Sequence, residues 1–254
     1  MNGAFYIGAT GLDAQQRALD VIANNIANIN TPTFKRSQVR FSELVSPASA
    51  GDDLQPVSIA GLSGVSISGS PKVFAQGDLR ETGNPLDIAI SGDGLLELLG
   101  PGGKSLLWRG GAMKVSADGF LAAGNGLPLK AMISVPLGTT ALSISRQGVV
   151  TALIDGVESP REIGKIDLVL VKDMAGLSPL GEGLYETADP SNLMTVAPGE
   201  DGGGAVVQGS LEMSNVQLSD EMVMLLLMQR AYAANAQVVQ AGDQLMAIAN
   251  GLKR

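Results

Sequence analysis

Near its middle the chain reads Gly100-Pro101-Gly102-Gly103-Lys104-Ser105, which ends as a phosphate-cradling loop ends, in glycine, lysine and a hydroxyl residue. Such a loop wraps backbone N–H groups around phosphate oxygens. It needs another glycine five positions before the one that precedes the lysine, and this chain has Leu98 there. Tight turns use the same residue types, so a polar hairpin turn is the expectation. Gly92-Asp93-Gly94 opens like a dinucleotide fingerprint, but Glu97 fills the third glycine position and no long helical pattern follows. General acid–base work needs paired carboxylates, and the closest sets are Asp52-Asp53, Asp78 with Glu81, and Glu200-Asp201. All three sit in polar, turn-like stretches where neighbouring acids are ordinarily solvated. Trp108 beside Arg109 has the makings of a stacking site, although a lone tryptophan in a β domain more often serves a core or an interface.

The chain has no histidine and no cysteine, which removes the commonest general base, the commonest metal ligand and any thiolate chemistry. No catalytic, cofactor-binding or metal-binding residue is assigned, and the chain is expected to be neither an enzyme nor a cofactor carrier. Lysine and arginine number 17 against 25 acidic residues, a formal charge of −8, and the basic residues are scattered, so a nucleic-acid partner is not expected. With 45% hydrophobic residues over 254 positions the chain can bury a sizeable core. Its longest apolar run, Met222 to Met228, is far short of the roughly 18 residues of a membrane span. The amino terminus lacks a basic n-region, and Asp13 and Arg17 interrupt its apolar stretch, so a cleaved signal peptide is not expected.

Three blocks of different periodicity organise the rest. From about Gly3 to Asn28, Phe5, Leu12, Leu19 and Ile26 recur every seven residues, with Ile22 and Ile29 on the adjoining track, which predicts a helix with a coiled-coil-like face. Gly3, Gly8 and Gly11 weaken its first turns, and Asn28, Asn30, Thr31 and Pro32 mark its end. A second helix of about 30 residues is expected to begin with Ser219 as N-cap and Asp220 and Glu221 in its first turn. Leu218, Leu225, Tyr232, Val239 and Met246 repeat every seven positions there, Met222 adds to the apolar run, and Met224, Ala231, Val238, Leu245 and Leu252 form a second track. Lys253 and Arg254 suit its negative end, and the small residues Ala231, Ala233, Ala234, Ala236 and Ala241 would let another helix approach closely. Periodicity alone allows both an ordinary two-helix core and a seam that needs other chains to cover it.

Between the helices the period changes to two, in Leu86, Ile88 and Ile90, in Leu142 and Ile144, and in Ile166, Leu168 and Leu170, which reads as half-buried strands. Turn signals at Gly83-Asn84-Pro85, Asp118-Gly119, Asn125-Gly126, Gln147-Gly148, Asp155-Gly156 and Gly181-Glu182-Gly183 separate them at hairpin spacing. Ser46 to Asp53 and Ala197 to Gly204 read as loosely ordered hinges. The expected fold is α+β: long terminal helices packed as a coiled-coil-like domain of residues 1–45 plus 205–254, with a central all-β domain, residues 46–204, inserted between them.

Gly11-Leu12-Asp13-Ala14-Gln15-Gln16, followed by Asn24-Asn25-Ile26-Ala27-Asn28-Ile29-Asn30-Thr31-Pro32 and Phe34-Lys35-Arg36, resembles the amino terminus of flagellar rod and hook proteins. Gln208-Gly209-Ser210-Leu211-Glu212-Met213-Ser214-Asn215-Val216 and Gln229-Arg230-Ala231-Tyr232 are similar to that family's carboxy-terminal signature. Leu86-Asp87-Ile88-Ala89-Ile90-Ser91-Gly92-Asp93-Gly94 is similar to the segment that opens its β domain. The sequence departs from the family pattern at Thr33, where glycine is usual, at Leu107-Trp108-Arg109-Gly110-Gly111 in place of Tyr-Thr-Arg-Asp-Gly, and at Leu95-Leu96 in place of an aromatic pair.

The resemblance implies a non-enzymatic subunit of the flagellar basal-body rod, and its terminal runs look most like the distal rod. The short segment after Val45 keeps a proximal position open, and a secreted β-rich binding module is the reading from another class. In such a rod the helices, paired antiparallel or nearly so, pack against sister subunits in a helical homo-oligomer around a channel, with the β domain as the outer wall. Implied partners are other rod proteins, the hook protein, the surrounding ring proteins and the flagellar type III export apparatus; nucleic acid and membrane insertion are not implied. The implied location is the periplasm-spanning basal body, reached without signal cleavage.

Overall fold

The computed structural model describes the backbone of residues 2–44, 64–157 and 159–251, and the side chains within them except at positions 2–4, 249 and 250. The expectations for Ser46 to Asp53, and for Leu252, Lys253 and Arg254, lie outside the described residues. The fold is α+β, with a helix at each end and a strand-rich middle. Two compact units form: one holds the described residues of 1–27, 37–73 and 216–254, the other those of 28–36 and 74–215.

In the first unit, helix α1 (Asn2–Ala27) packs on helix α2 (Leu218–Gly251), and a hairpin of β1 (Arg40–Leu44) and β2 (Gly64–Gly69) packs on α1 through β2. α2 starts two residues earlier than the N-cap pattern predicts, with Gln217 rather than Ser219 before its first helical residue, because the Glu221 N–H already donates to the Gln217 carbonyl and Ser219 lies inside the first turn. Asp220 and Glu221 do occupy that turn, where their charge suits the helix dipole. The two helices run antiparallel. Gly8 faces Val239, Gly11 faces Asn235, and near the other end Asn25 bonds Glu221. A methyl added at Gly8 would stand 2.6 Å from Val239 Cγ2, and one added at Gly11 would stand 2.7 Å from Asn235 Nδ2. Gly8 and Gly11, which look like weak points in the sequence, are therefore places where α2 comes too close to admit a side chain. Gly64 of β2 takes the Thr10 side chain in the same way.

In the second unit every strand pairing is antiparallel. In chain order the strands are β3 (Leu79–Glu81), β4 (Asp87–Ser91), β5 (Leu95–Leu99), β6 (Ser105–Trp108), β7 (Gly111–Val115), β8 (Leu121–Ala123), β9 (Thr139–Ile144) and β10 (Val149–Ile154). They continue with β11 (Arg161–Lys165), β12 (Leu168–Val171), β13 (Leu177–Gly181), β14 (Leu184–Thr187), β15 (Leu193–Val196), β16 (Ala205–Gln208) and β17 (Ser210–Glu212). A six-stranded sheet has the order β13-β14-β6-β5-β12-β15, a four-stranded sheet β16-β4-β7-β8 and a three-stranded sheet β11-β10-β9, while β17 pairs with β3.

The six-stranded sheet is covered on both faces. Leu96, Leu98, Leu106, Trp108, Leu168 and Leu184 join the main core with Ile88 and Ile90, whereas Leu95, Leu107, Val169, Val171 and Tyr185 form a second cluster with Phe74. Alternation along β5, β6 and β12 sends neighbouring residues to opposite faces, and both faces are apolar. β4, read from sequence as half-buried, is buried from Asp87 to Ile90 for the same reason. Ile166 is buried but lies between β11 and β12. Gly100 to Lys104 closes the β5–β6 hairpin, with Gly100 N–H donating to the Lys104 carbonyl. Ala197 to Gly204 is a bonded turn: Gly199 N–H donates to the Gly204 carbonyl and Gly203 N–H to the Glu200 carbonyl.

Candidate functional site

The described side chains divide into an apolar helix surface and a buried ion cluster. On α1 the buried face is made of Gly8, Gly11, Ala14, Ala18, Ile22 and Asn25, small or compact residues at spacings of three and four. The large residues of the sequence pattern lie to either side: Leu12, Leu19 and Ile26 are half-buried, as is Ile29 just beyond the helix, and Phe5 is exposed with Tyr6 and Ile7. On α2, Glu221 is buried, and Leu225, Met228, Ala231, Asn235, Val239, Gly242 and Met246 are half-buried. Leu218, Met222, Val223, Met224, Leu226, Leu227, Tyr232, Val238, Leu245 and Ile248 are exposed, Leu245 and Ile248 at 61%. Beyond its first turn the described length of α2 carries charge only at Arg230 and Asp243.

Asn25 closes the other end of the helix pair. Its amide donates to the Ser37 carbonyl at 2.9 Å and to Glu221 Oε2 at 3.1 Å, and its Oδ1 accepts the Ser37 N–H at 2.9 Å. A buried side-chain amide is satisfied in this way from both its donor and acceptor sides. Of the other motif residues, Asn24 and Ala27 face outward on α1, and Asn28 accepts both the N–H and the hydroxyl of Thr31 in the turn that ends the helix. Pro32 is exposed, Phe34 and Ser214 are half-buried, and Gln229 and Arg230 lie exposed on α2.

The ion cluster lies in the β unit. Glu212 is fully buried; its Oε1 accepts Lys35 Nζ at 2.6 Å and Gly77 N–H at 2.9 Å, and its Oε2 accepts Arg109 Nε at 2.7 Å. Lys35 also donates to the Ala75 carbonyl at 2.9 Å, and the Arg109 guanidinium to the carbonyls of Gly94 and Gly92 at 2.6 and 2.7 Å. Burial pulls the Lys35 ammonium below its usual range and Arg109 adds to that, while the hydrogen bond and charge of Glu212 oppose it. Tyr185 is pushed up to about 12, mainly by burial. Next to the cluster Thr33 holds a φ of 62°, a region costly for a β-branched residue. Its N–H donates to the Glu212 carbonyl at 2.8 Å, and its side chain fits against Gly183, where a Cβ would stand 2.5 Å from Thr33 Oγ1. Asn215 completes the arrangement by accepting the Arg36 N–H and donating to Ala75, both at 2.8 Å.

Sequence reasoning picked out Lys35 and Asn215 but gave Glu212 no role and weighed Arg109 only as a stacking partner for Trp108. Trp108 packs in the main core, and the guanidinium is spent on Glu212 and the carbonyls of Gly94, Gly92 and Ile90. Of the carboxylate sets weighed above, Asp52-Asp53 lies outside the described residues, and among the described residues no three acidic side chains gather as metal ligands would. An open cavity of about 230 Å3 has Glu97, Lys130 and Asp167 on its wall, and there Ser105 and Lys130 both donate to Glu97 Oε1. Among the described residues no helix is long and apolar enough to cross a membrane.

A broad apolar helix surface left exposed on the described residues is the mark of a protein that binds other proteins, and comparison with known proteins says of which kind. Residues 5–35 match the family described as Flagella basal body rod protein, residues 89–152 the Flagellar hook protein FlgE/F/G D1 domain, and residues 207–252 the Flagellar basal body rod FlgEFG protein C-terminal. The Flagellar basal-body rod protein FlgG of Borreliella burgdorferi is 35% identical over all of both chains. That of Agrobacterium fabrum is 36% identical over 96% of this chain and 97% of its own. The Flagellar basal-body rod protein FlgF of Caulobacter vibrioides is 32% identical over 96% of this chain and 95% of its own. The chain belongs to the flagellar basal-body rod protein family. It is a structural, non-enzymatic subunit of the rod and part of the flagellar basal body.

Proposed function

We propose that the chain polymerises with copies of itself into a helical tube, and that the exposed side of α2 is the surface sister subunits cover. The observation that carries this is the broad apolar side that α2 leaves uncovered: Met222, Val223, Leu226, Leu227, Val238, Leu245 and Ile248 all face solvent in the single chain. A helix that carries apolar residues on its exposed side as well as on its packed one belongs inside a packed assembly. Each such side chain stabilises by roughly 1.5–3 kcal/mol when fully buried, so a few of them per contact suffice to hold a polymer. A contact of one face against a different face of the next copy does not close and yields a helical array, stiff enough to pass torque from motor to hook. On this reading α1 and α2 form a coiled-coil-like domain whose packing positions include Phe5, Leu12, Leu19, Ile22, Ile26, Ile29, Leu218, Met222, Leu225, Tyr232, Val239 and Met246. Residues 1–45 and 205–254 would act as the axial domain and 46–204 as the β domain.

The placement proposed is the distal rod, supported by full-length likeness to proteins named FlgG in several bacteria. Likeness to the Caulobacter FlgF protein supports a proximal position as the second reading. Neighbours would be other rod proteins, the hook protein and the ring proteins around the shaft, and export would use the flagellar type III apparatus without signal cleavage, in the periplasm-spanning part of the basal body. Sedimentation and electron microscopy of the purified full chain test the surface. Wild type should polymerise with rising concentration, while Val238→Glu with Leu245→Glu should stay monomeric with the β unit folded. A wild type that remains a rigid monomer at every concentration, or a double variant that polymerises as wild type does, would refute the proposal. Basal bodies from cells lacking the chain locate it, since the rod ends where its segment should begin.

A further inference from the structure

Lys35, Arg109 and Glu212 come from three distant stretches of chain, residues 34–36, 107–111 and 208–216. Glu212 is the only acid in direct contact with either cation among the described ion pairs, and it touches both. It also reaches the strained residue, because its main-chain carbonyl accepts Thr33 N–H, while Asn215 three residues on accepts Arg36 N–H. The arm of residues 28–36 is thus fastened to the β unit largely by what residues 212–215 supply. Without that segment, docking the arm would bury Lys35 beside Arg109 with no counter-charge, and a lone buried ammonium next to a guanidinium is strongly disfavoured. Thr33 would also have to adopt its φ of 62° without the bond that holds it there.

We propose that Glu212 is a completion latch: the 28–36 arm docks on the β unit only as the 210–215 segment arrives, so the early and late parts of the chain lock in one event. Lys35 on its own cannot settle, and β17 on its own buries a carboxylate that only the two cations balance. The latch goes beyond the assembly reading and holds in a single subunit whether or not the chain polymerises.

Hydrogen exchange on the full-length wild type under graded urea tests this without any substitution. The amides of Thr33, Arg36, Gly77 and Met213 should open together in one step, ahead of Val150 to Ala152 in β10. If Thr33 and Arg36 open in a step that leaves Gly77 and Met213 protected, the latch is wrong. In the full-length Glu212→Gln variant, exchange at Thr33 and Arg36 should rise at least tenfold more than exchange at β10; an equal acceleration at every amide would instead mark a merely structural role and overturn it. Lys35→Met leaves one cation facing one carboxylate and should loosen the Thr33 amide less than Glu212→Gln does. Equal loosening in the two variants would count against the latch.

Discussion

The two units of this chain solve opposite problems with the same amino acids. The β unit hides leucine, isoleucine and valine on both faces of its main sheet and buries the charged residues Lys35, Asp87, Arg109 and Glu212 as well, while the helical unit buries mostly glycine, alanine and a side-chain amide and leaves most of its large apolar groups in water. A sheet covered on both faces is finished as a single chain. The helix pair is not, because the residues it buries are small and those it displays are the ones that gain most from burial. The difference teaches where to look for work in a protein without a reactive centre: in the unit whose surface looks like an interior.

That contrast can be broken or sharpened by substitution. The largest effect is expected at Glu212→Ala, which strands Lys35 and Arg109 in the interior and should cost the β unit about 3–5 kcal/mol, measured as urea unfolding followed by Trp108 fluorescence. Next is alkaline pH. Tyr185 keeps its proton up to about 12 in the fold, against about 10 in the unfolded chain, so the stability it protects is intact below pH 10 and falls by about 2–3 kcal/mol as pH climbs through 12. Lys35 runs the other way: its folded value is lowered beneath 10.5, the unfolded chain binds the extra proton, and its contribution rises with pH up to 10.5. Tyr185→Phe should remove the alkaline loss and leave that rise exposed, as melts between pH 9 and 12 would report.

Smaller effects separate the units further. Gly8→Leu forces a side chain into Val239 and should destabilise the helix pair by about 1–3 kcal/mol, read as loss of helical circular dichroism with the β unit's unfolding midpoint unchanged. Thr33→Gly removes the strain of a positive φ at the expense of a freer unfolded chain and the packing against Gly183, and should stabilise the β unit by about 0.5–1 kcal/mol in the same urea experiment. A loss there would mean that the threonine's contacts outweigh its backbone strain.

Much of this was legible in the sequence for a local reason. Both helices, the hairpin turns and the family motifs rest on patterns within a few dozen residues, and they appear where the patterns place them. What escaped depends on distance along the chain. Lys35, Arg109 and Glu212 carry no periodicity linking them, and a buried charge looks like a solvated one until its partner is found. Heptad counting located the large residues of α1 but not which side faces α2, because the seam is made from Gly8, Gly11, Ala14 and Ala18, which carry little hydrophobic signal. The β1–β2 hairpin groups with the helices in one compact unit.

From Met222 to Gly251 the second helix carries a single arginine and a single aspartate. If sister chains cover that stretch, ion pairs have almost no part in fixing how far one slides along another, and the alignment must come from the fit of bumps and hollows alone. Raising ionic strength should then leave the filament intact or tighten it, whereas cooling, which weakens the expulsion of apolar surface from water, should loosen it.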